Sequence, residues 1–91
     1  MNTVTISLTP KQISILTCVC KGNADGSPMD IDQIINSVDY KVTKQAIQFS
    51  IRRMIEKKNL IRKVGSEIRR GKKRVFYSAT SLGSEVYANL L

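Results

Sequence analysis

The stretch TKQAIQFSIRRMIEKKNLIRKVGSEIRRGKKRVFYSAT, Thr43–Thr80, changes its hydrophobic period partway along. In its first half Ile47, Ile51, Met54 and Ile55 recur at spacings of three and four, with small Ala46 and Ser50 alongside. That is one face of an amphipathic helix over 43–58, with Thr43 as its N-cap. Asn59 follows the last basic turn, where a left-handed residue is expected and Asn is tolerated. From Leu60 the pattern becomes β-branched and alternating. LIRKVGSEIRR (60–70) and RVFYSAT (74–80) predict two strands, joined by a turn at Gly71-Lys72. Gly65 marks a bulge or bend, or else the end of the first strand. The run VFYSA must then pack on the helices as the inner strand. The five cations Arg69, Arg70, Lys72, Lys73 and Arg74 fall at the hairpin tip, which projects from the core and cannot be buried.

Upstream, TVTISL (3–8) alternates as a short strand or extended arm does. Thr9 and Pro10 predict the cap and first position of a helix ending near Lys21-Gly22, with Ile13, Leu16 and Cys20 on one face, flanked by Ile15 and Val19. NADGSP (23–28) is a loop by composition. MDIDQIINSV (29–38) predicts a short helix with Asp30 or Asp32 near its start and Ile31, Ile34, Ile35 and Val38 on one face. DYKV (39–42) is a connector. Downstream, Thr80 or Ser81 caps a final helix, with Glu85 near its start and Leu82, Val86 and Leu90 on one face. Two short helices, a tight turn and a following hairpin make a winged helix-turn-helix. The expected fold is therefore α+β: a three-helix core, a two-stranded wing, a short N-terminal strand or arm and a C-terminal helix. One domain accounts for 1–91.

Charge is segregated along the chain. Residues 1–40 hold two Lys and four Asp, while residues 41–91 hold thirteen Lys/Arg and three Glu. Between Lys41 and Arg74 all thirteen of those cations meet only Glu56 and Glu67. Such asymmetry suggests a polyanionic partner. No apolar run approaches the ~18 residues of a membrane span, and the N-terminus does not read as a signal peptide. The expected setting is cytoplasmic, and nucleoid-associated in a bacterium. The chain has no His, and Cys18 and Cys20 are its only cysteines. Two apart on a helix, they point to different faces and read as small core residues, too few for a zinc site. No nucleophile has an obvious neighbouring base, and no glycine-rich phosphate cradle occurs. The expectation is a binding protein, not an enzyme, with no cofactor, no metal and no evident small-molecule effector.

Three linked motifs carry a family resemblance. VTKQAIQFSIRRMIEKKNLIRK (42–63) resembles the recognition helix, and its exit into the first wing strand, of minimal winged-helix regulators of the MarR-like and PadR-like type. Asn59 stands where many members have Gly. GKKRVFYSAT (71–80) resembles the second wing strand. YSATSLGSEVYANL (77–90) resembles the Y-x-L-T-x-x-G start of the following helix, with Ala79 where Leu is usual. The long flanking dimerisation helices of MarR-like proteins have no counterpart in the chain.

In such a fold the N-terminal half of the recognition helix enters the major groove of double-stranded DNA. Gln45 and Gln48 then reach base edges, where Gln pairs with adenine. Thr43 and Lys44 sit at the helix N-terminus, which favours a phosphate. Arg52 and Arg53 complete the exposed face. Phe49 either contacts thymine methyls or covers the second helix; packing is the expectation, because exposed Phe is uncommon. Arg69, Arg70, Lys72, Lys73 and Arg74 of the wing meet the minor groove or phosphates, and Arg62 and Lys63 extend the field. Tyr40 and Lys41 are secondary candidates in the turn before the helix. Lys57 and Lys58 suit a helix C-terminus and are discounted. The function expected is sequence-specific DNA binding by a small homodimeric transcription regulator. A plasmid or phage replication, segregation or architectural factor is the alternative, and a winged helix that binds an acidic protein is a third.

Overall fold

The computed structural model describes residues 7–90. Its order is α1 (Pro10–Lys21), β1 (Met29–Asp30), α2 (Ile31–Ser37), α3 (Lys44–Glu56), β2 (Ile61–Arg69), β3 (Lys72–Ala79) and α4 (Ser81–Leu90). The result is α+β, with four helices and a three-stranded antiparallel sheet ordered β1-β3-β2 among the described residues. That arrangement is compatible with the expected winged helix. The strand or arm expected at 3–8 lies outside the described residues except for Ser7 and Leu8, which are not in a strand. Leu91 also lies outside them.

Side chains at the helix starts account for where three of the helices begin. Thr9 Oγ1 accepts the Gln12 N–H at 3.2 Å, and Gln12 Oε1 accepts the Thr9 N–H at 3.0 Å. Asp30 and Gln33 make the same reciprocal pair at the start of α2. Thr43 Oγ1 accepts the Ala46 N–H at the start of α3. Each cap satisfies donors that the first helical turn leaves without partners.

The core collects Ile15, Leu16 and Val19 of α1, Ile34 of α2, Ile47, Ile51 and Met54 of α3, and Leu60 and Ile61 at the hairpin base. On α1 this differs from the expected face. Ile13 and Cys20 are only half-buried, and Ile15, Leu16, Cys18 and Val19 go inside, because α4 packs on α1 as well. Burial pushes the Cys18 and Cys20 thiols up, so both stay protonated and weakly nucleophilic near neutrality.

Three local expectations need correction. The second helix begins at Ile31 with Asp30 as its N-cap, as expected, but Met29 and Asp30 also pair with Tyr77 and Phe76 of β3 and add a short third strand. The hairpin turn is Arg70-Gly71, one residue earlier than expected, and β3 starts at Lys72. Arg69 pairs with Lys72, and both turn residues have positive φ, 52° and 76°. That is a type I′ turn, the two-residue connection whose twist suits a hairpin. Helix α3 stops at Glu56, two residues short of the expected end. Asn59 is left-handed at φ 55°, as expected. Gly65 does mark a bulge: the register slips between Lys63 and Gly65, leaving Val64 as the extra residue.

The hairpin is tied to the helical layer from both sides. Thr80 binds the corner after α3. Its N–H donates to the Leu60 carbonyl (3.0 Å), its hydroxyl donates to the Asn59 carbonyl (2.6 Å), and that oxygen accepts the Gly83 N–H (2.9 Å). On the other side, Arg74 Nη1 of β3 lies 2.9 Å from Asp30 Oδ2, and Asp30 is only 4 % exposed. A buried carboxylate without its partner is costly, so Arg74→Ala is expected to destabilise by about 2 kcal/mol. Urea denaturation would check this; a midpoint equal to that of the parent would remove the pair from the list of stabilising contacts.

Candidate nucleic-acid interface

The burial of Ile47, Ile51 and Met54 decides which side of α3 faces out. Lys44, Gln45, Gln48, Phe49, Arg52 and Arg53 are all exposed on it. The grouping expected from the sequence is therefore formed, with one reversal: Phe49 is 60 % exposed and does not cover α2. The reason is helical phase. At ~100° per residue, position 49 lies about 200° from position 47, which already holds the core contact. The Arg53 guanidinium stands over the Phe49 ring at 5.8 Å. At the start of the helix Thr43 is committed to its cap, so its hydroxyl has a structural task. Lys44 lies 3.5 Å from Asp32, with both side chains exposed. Such a surface pair contributes ~0–1 kcal/mol and can open to another anion.

At the other end of the surface, the alternation of the hairpin sorts its cations. Glu67 pairs with Arg74 and Arg69 with Lys72 across the strands, while Ile68 pairs with Lys73. The first two pairs share one face of the ribbon and the third lies on the other. Arg69, Arg70, Lys72 and Arg74 line a hollow of about 440 Å³ at the tip. Not all of this charge is equally available. Arg74 is held by Asp30. Arg69 lies 2.7 Å from Glu67 Oε1, close enough for an ion pair, although the approach angle is outside hydrogen-bond range. No ion pair or hydrogen bond holds the side chains of Arg70, Lys72 and Lys73 among the described residues. Cations confined around one hollow repel one another, and an anion placed among them relieves that repulsion.

Where hairpin and helix meet, Gln48, Arg52 and Glu56 of α3 face Lys63 and Tyr77 across a cleft of about 220 Å³. Burial raises the Tyr77 hydroxyl pKa, and the nearby Arg52 charge partly offsets that. Lys63 thus joins the α3 surface. Its neighbour Arg62 does not: it points to the other side, into a hollow with Asn59, Thr80 and Ser84. Tyr40 is engaged with α1, its ring 5.5 Å from Lys11 Nζ. Burial, followed by the Asp39 charge, raises its pKa, so the Tyr40 hydroxyl stays protonated. Lys41 is exposed beside it. Two features escaped sequence reasoning. The commitment of Arg74 to Asp30 spans 44 positions and leaves no local mark. Ile68, 78 % exposed near the tip, was legible only as a strand residue.

The hairpin tip and the α3 face are the two most cationic parts of the molecule. Among the described residues no helix is long and apolar enough to cross a membrane. No protein-family model matches the chain, so the resemblance to MarR-like and PadR-like regulators does not amount to membership. No curated protein matches it in sequence. Among solved structures, a protein from Ralstonia eutropha JMP134 described as a "putative DNA-binding protein" is similar in fold, with a TM-score of 0.65. The two chains are 13 % identical, and the match covers 93 % of this chain and 99 % of the other.

Proposed function

We propose that this chain is a winged-helix protein that binds double-stranded DNA with sequence preference, and that it acts as a small homodimeric transcription regulator rather than as an enzyme. One observation carries the reading. Two separate elements, the outward face of α3 and the hairpin tip, are exposed, cationic and joined through the Lys63–Arg52 cleft. A helix of this kind suits the major groove, and Gln45 and Gln48 on it suit adenine edges. The hairpin cations suit phosphates or the minor groove, where they add affinity without reading sequence. The description of the Ralstonia protein agrees with a DNA partner.

The test is selection from random duplexes at about physiological ionic strength, where non-specific binding is weak. An enriched inverted repeat, with half-sites about one helical turn apart, is the expected result and reports the dimer as well. Repeating the selection with Gln48→Ala should relax one position in each half-site, by about 1–3 kcal/mol of discrimination. Binding without enrichment would replace the regulator reading with an architectural or loading role. Failure to bind any duplex would end the DNA reading.

A further inference from the structure

We infer that Phe49 is a specificity residue that reads the 5-methyl group of thymine in the major groove. The inference rests on the DNA-binding reading above and names one chemical feature of the sequence that α3 would select. Phe49 sits in the middle of the outward face, with Gln45 one turn before it and Arg52 and Arg53 after it. At 60 % exposure it contributes little to the core, which Ile47, Ile51 and Met54 already fill from the opposite side of the helix. A single exposed apolar residue is ordinary on a protein surface. This one is surrounded by polar and cationic side chains, on the face whose charge matches a polyanion.

The ring is also held. Arg53 stands over it at 5.8 Å, within cation–π range, which limits the directions the ring can take. A phenyl ring neither donates nor accepts a conventional hydrogen bond, so base-edge amino, keto and ring-nitrogen groups give it nothing to recognise. The apolar feature that standard base pairs present in the major groove is the thymine methyl. The part of the ring that Arg53 leaves uncovered is open to that methyl, Phe49 being 60 % exposed. Glutamines that favour adenine and a ring that favours thymine are mutually consistent, because both features belong to A·T pairs.

The experiment uses the full chain and matched duplexes: the selected site, and the same site with deoxyuridine replacing each thymine in turn. Deoxyuridine removes the methyl and leaves every hydrogen-bonding group in place. Wild-type protein is expected to bind about fourfold more weakly when the contacted thymine loses its methyl, the effect of un-burying one apolar carbon. Phe49→Ala is expected to bind the two duplexes equally, with an unchanged melting temperature because the side chain is exposed. If wild type ignores the methyl at every thymine, or if Phe49→Ala keeps the wild-type ratio, the inference is overturned while DNA binding stands. If wild type binds no duplex, both readings fall together.

Discussion

Gly83→Ala is expected to lower the midpoint of thermal unfolding by about 12–24 °C, a loss of about 3 kcal/mol in a domain of this size. The reason is a backbone-to-backbone approach. A Cβ built on Gly83 would overlap the carbonyl oxygen of Leu60 and lie only 3.0 Å from its carbonyl carbon. Neither neighbour is a flexible side-chain tip that can swing aside. Leu60 is fully buried, and its carbonyl already accepts the Thr80 N–H. The clash can be relieved only if α4 lifts from the corner, which breaks the Thr80 contacts and opens the packing of Leu82 and Val86 on the core. Gly65→Ala is the control, since a Cβ there meets nothing within 4 Å and its φ is ordinary. Calorimetry of the two variants decides the matter. A Gly83→Ala protein that melts within a degree or two of the parent would mean that α4 is not seated on Leu60.

The second large effect concerns binding and leaves stability alone. Arg70→Asn, Lys72→Ala and Lys73→Ala combined should reduce the slope of log K against log salt by about 2.7, taking ~0.9 per phosphate contact. Measured at about 0.1 M salt, that corresponds to a loss of several hundredfold on every duplex, specific or not. Asn is chosen at position 70 because φ there is 52°, a conformation that Asn accepts more readily than Arg. Asn-Gly is also a favoured pair for a type I′ turn, so the melting temperature should hold or rise. Arg74 and Arg69 are left unchanged, since one is tied to Asp30 and the other lies against Glu67. An unchanged salt slope, measured by fluorescence anisotropy, would take the hairpin off the contact surface.

Much of the architecture was legible because its determinants are local. Thr9, Thr43 and Thr80 cap the elements they precede, and the apolar spacing of α3 names its buried face correctly. The turn was misplaced by one residue for an equally local reason. A left-handed Arg70 is improbable in isolation, and it is imposed by the Arg69–Lys72 register of the full hairpin. Phe49 was misjudged on composition, because its hydrophobicity argues for burial while its helical phase forbids it. Asp30 reads as a cap, and it is one. Its second partner, Arg74, comes from a distant strand, and no pattern in either segment announces the pair. The cationic surface itself was visible as a run of charge. Its division between the two faces of the hairpin required the register.

The Asp30–Arg74 tie has a mechanical meaning. It joins the N-cap of α2 to the outer part of β3, two residues past the start of that strand, so the hairpin is braced to the helical frame close to its tip while Arg70, Lys72 and Lys73 stay exposed. On the DNA-binding proposal, the α3 face and the tip are two contacts on one stiff frame and behave as a chelate. Once a long ligand engages α3, the tip is already held near it at a high effective concentration. The entropy of aligning hairpin and helix is lost when the chain folds, not when the ligand arrives.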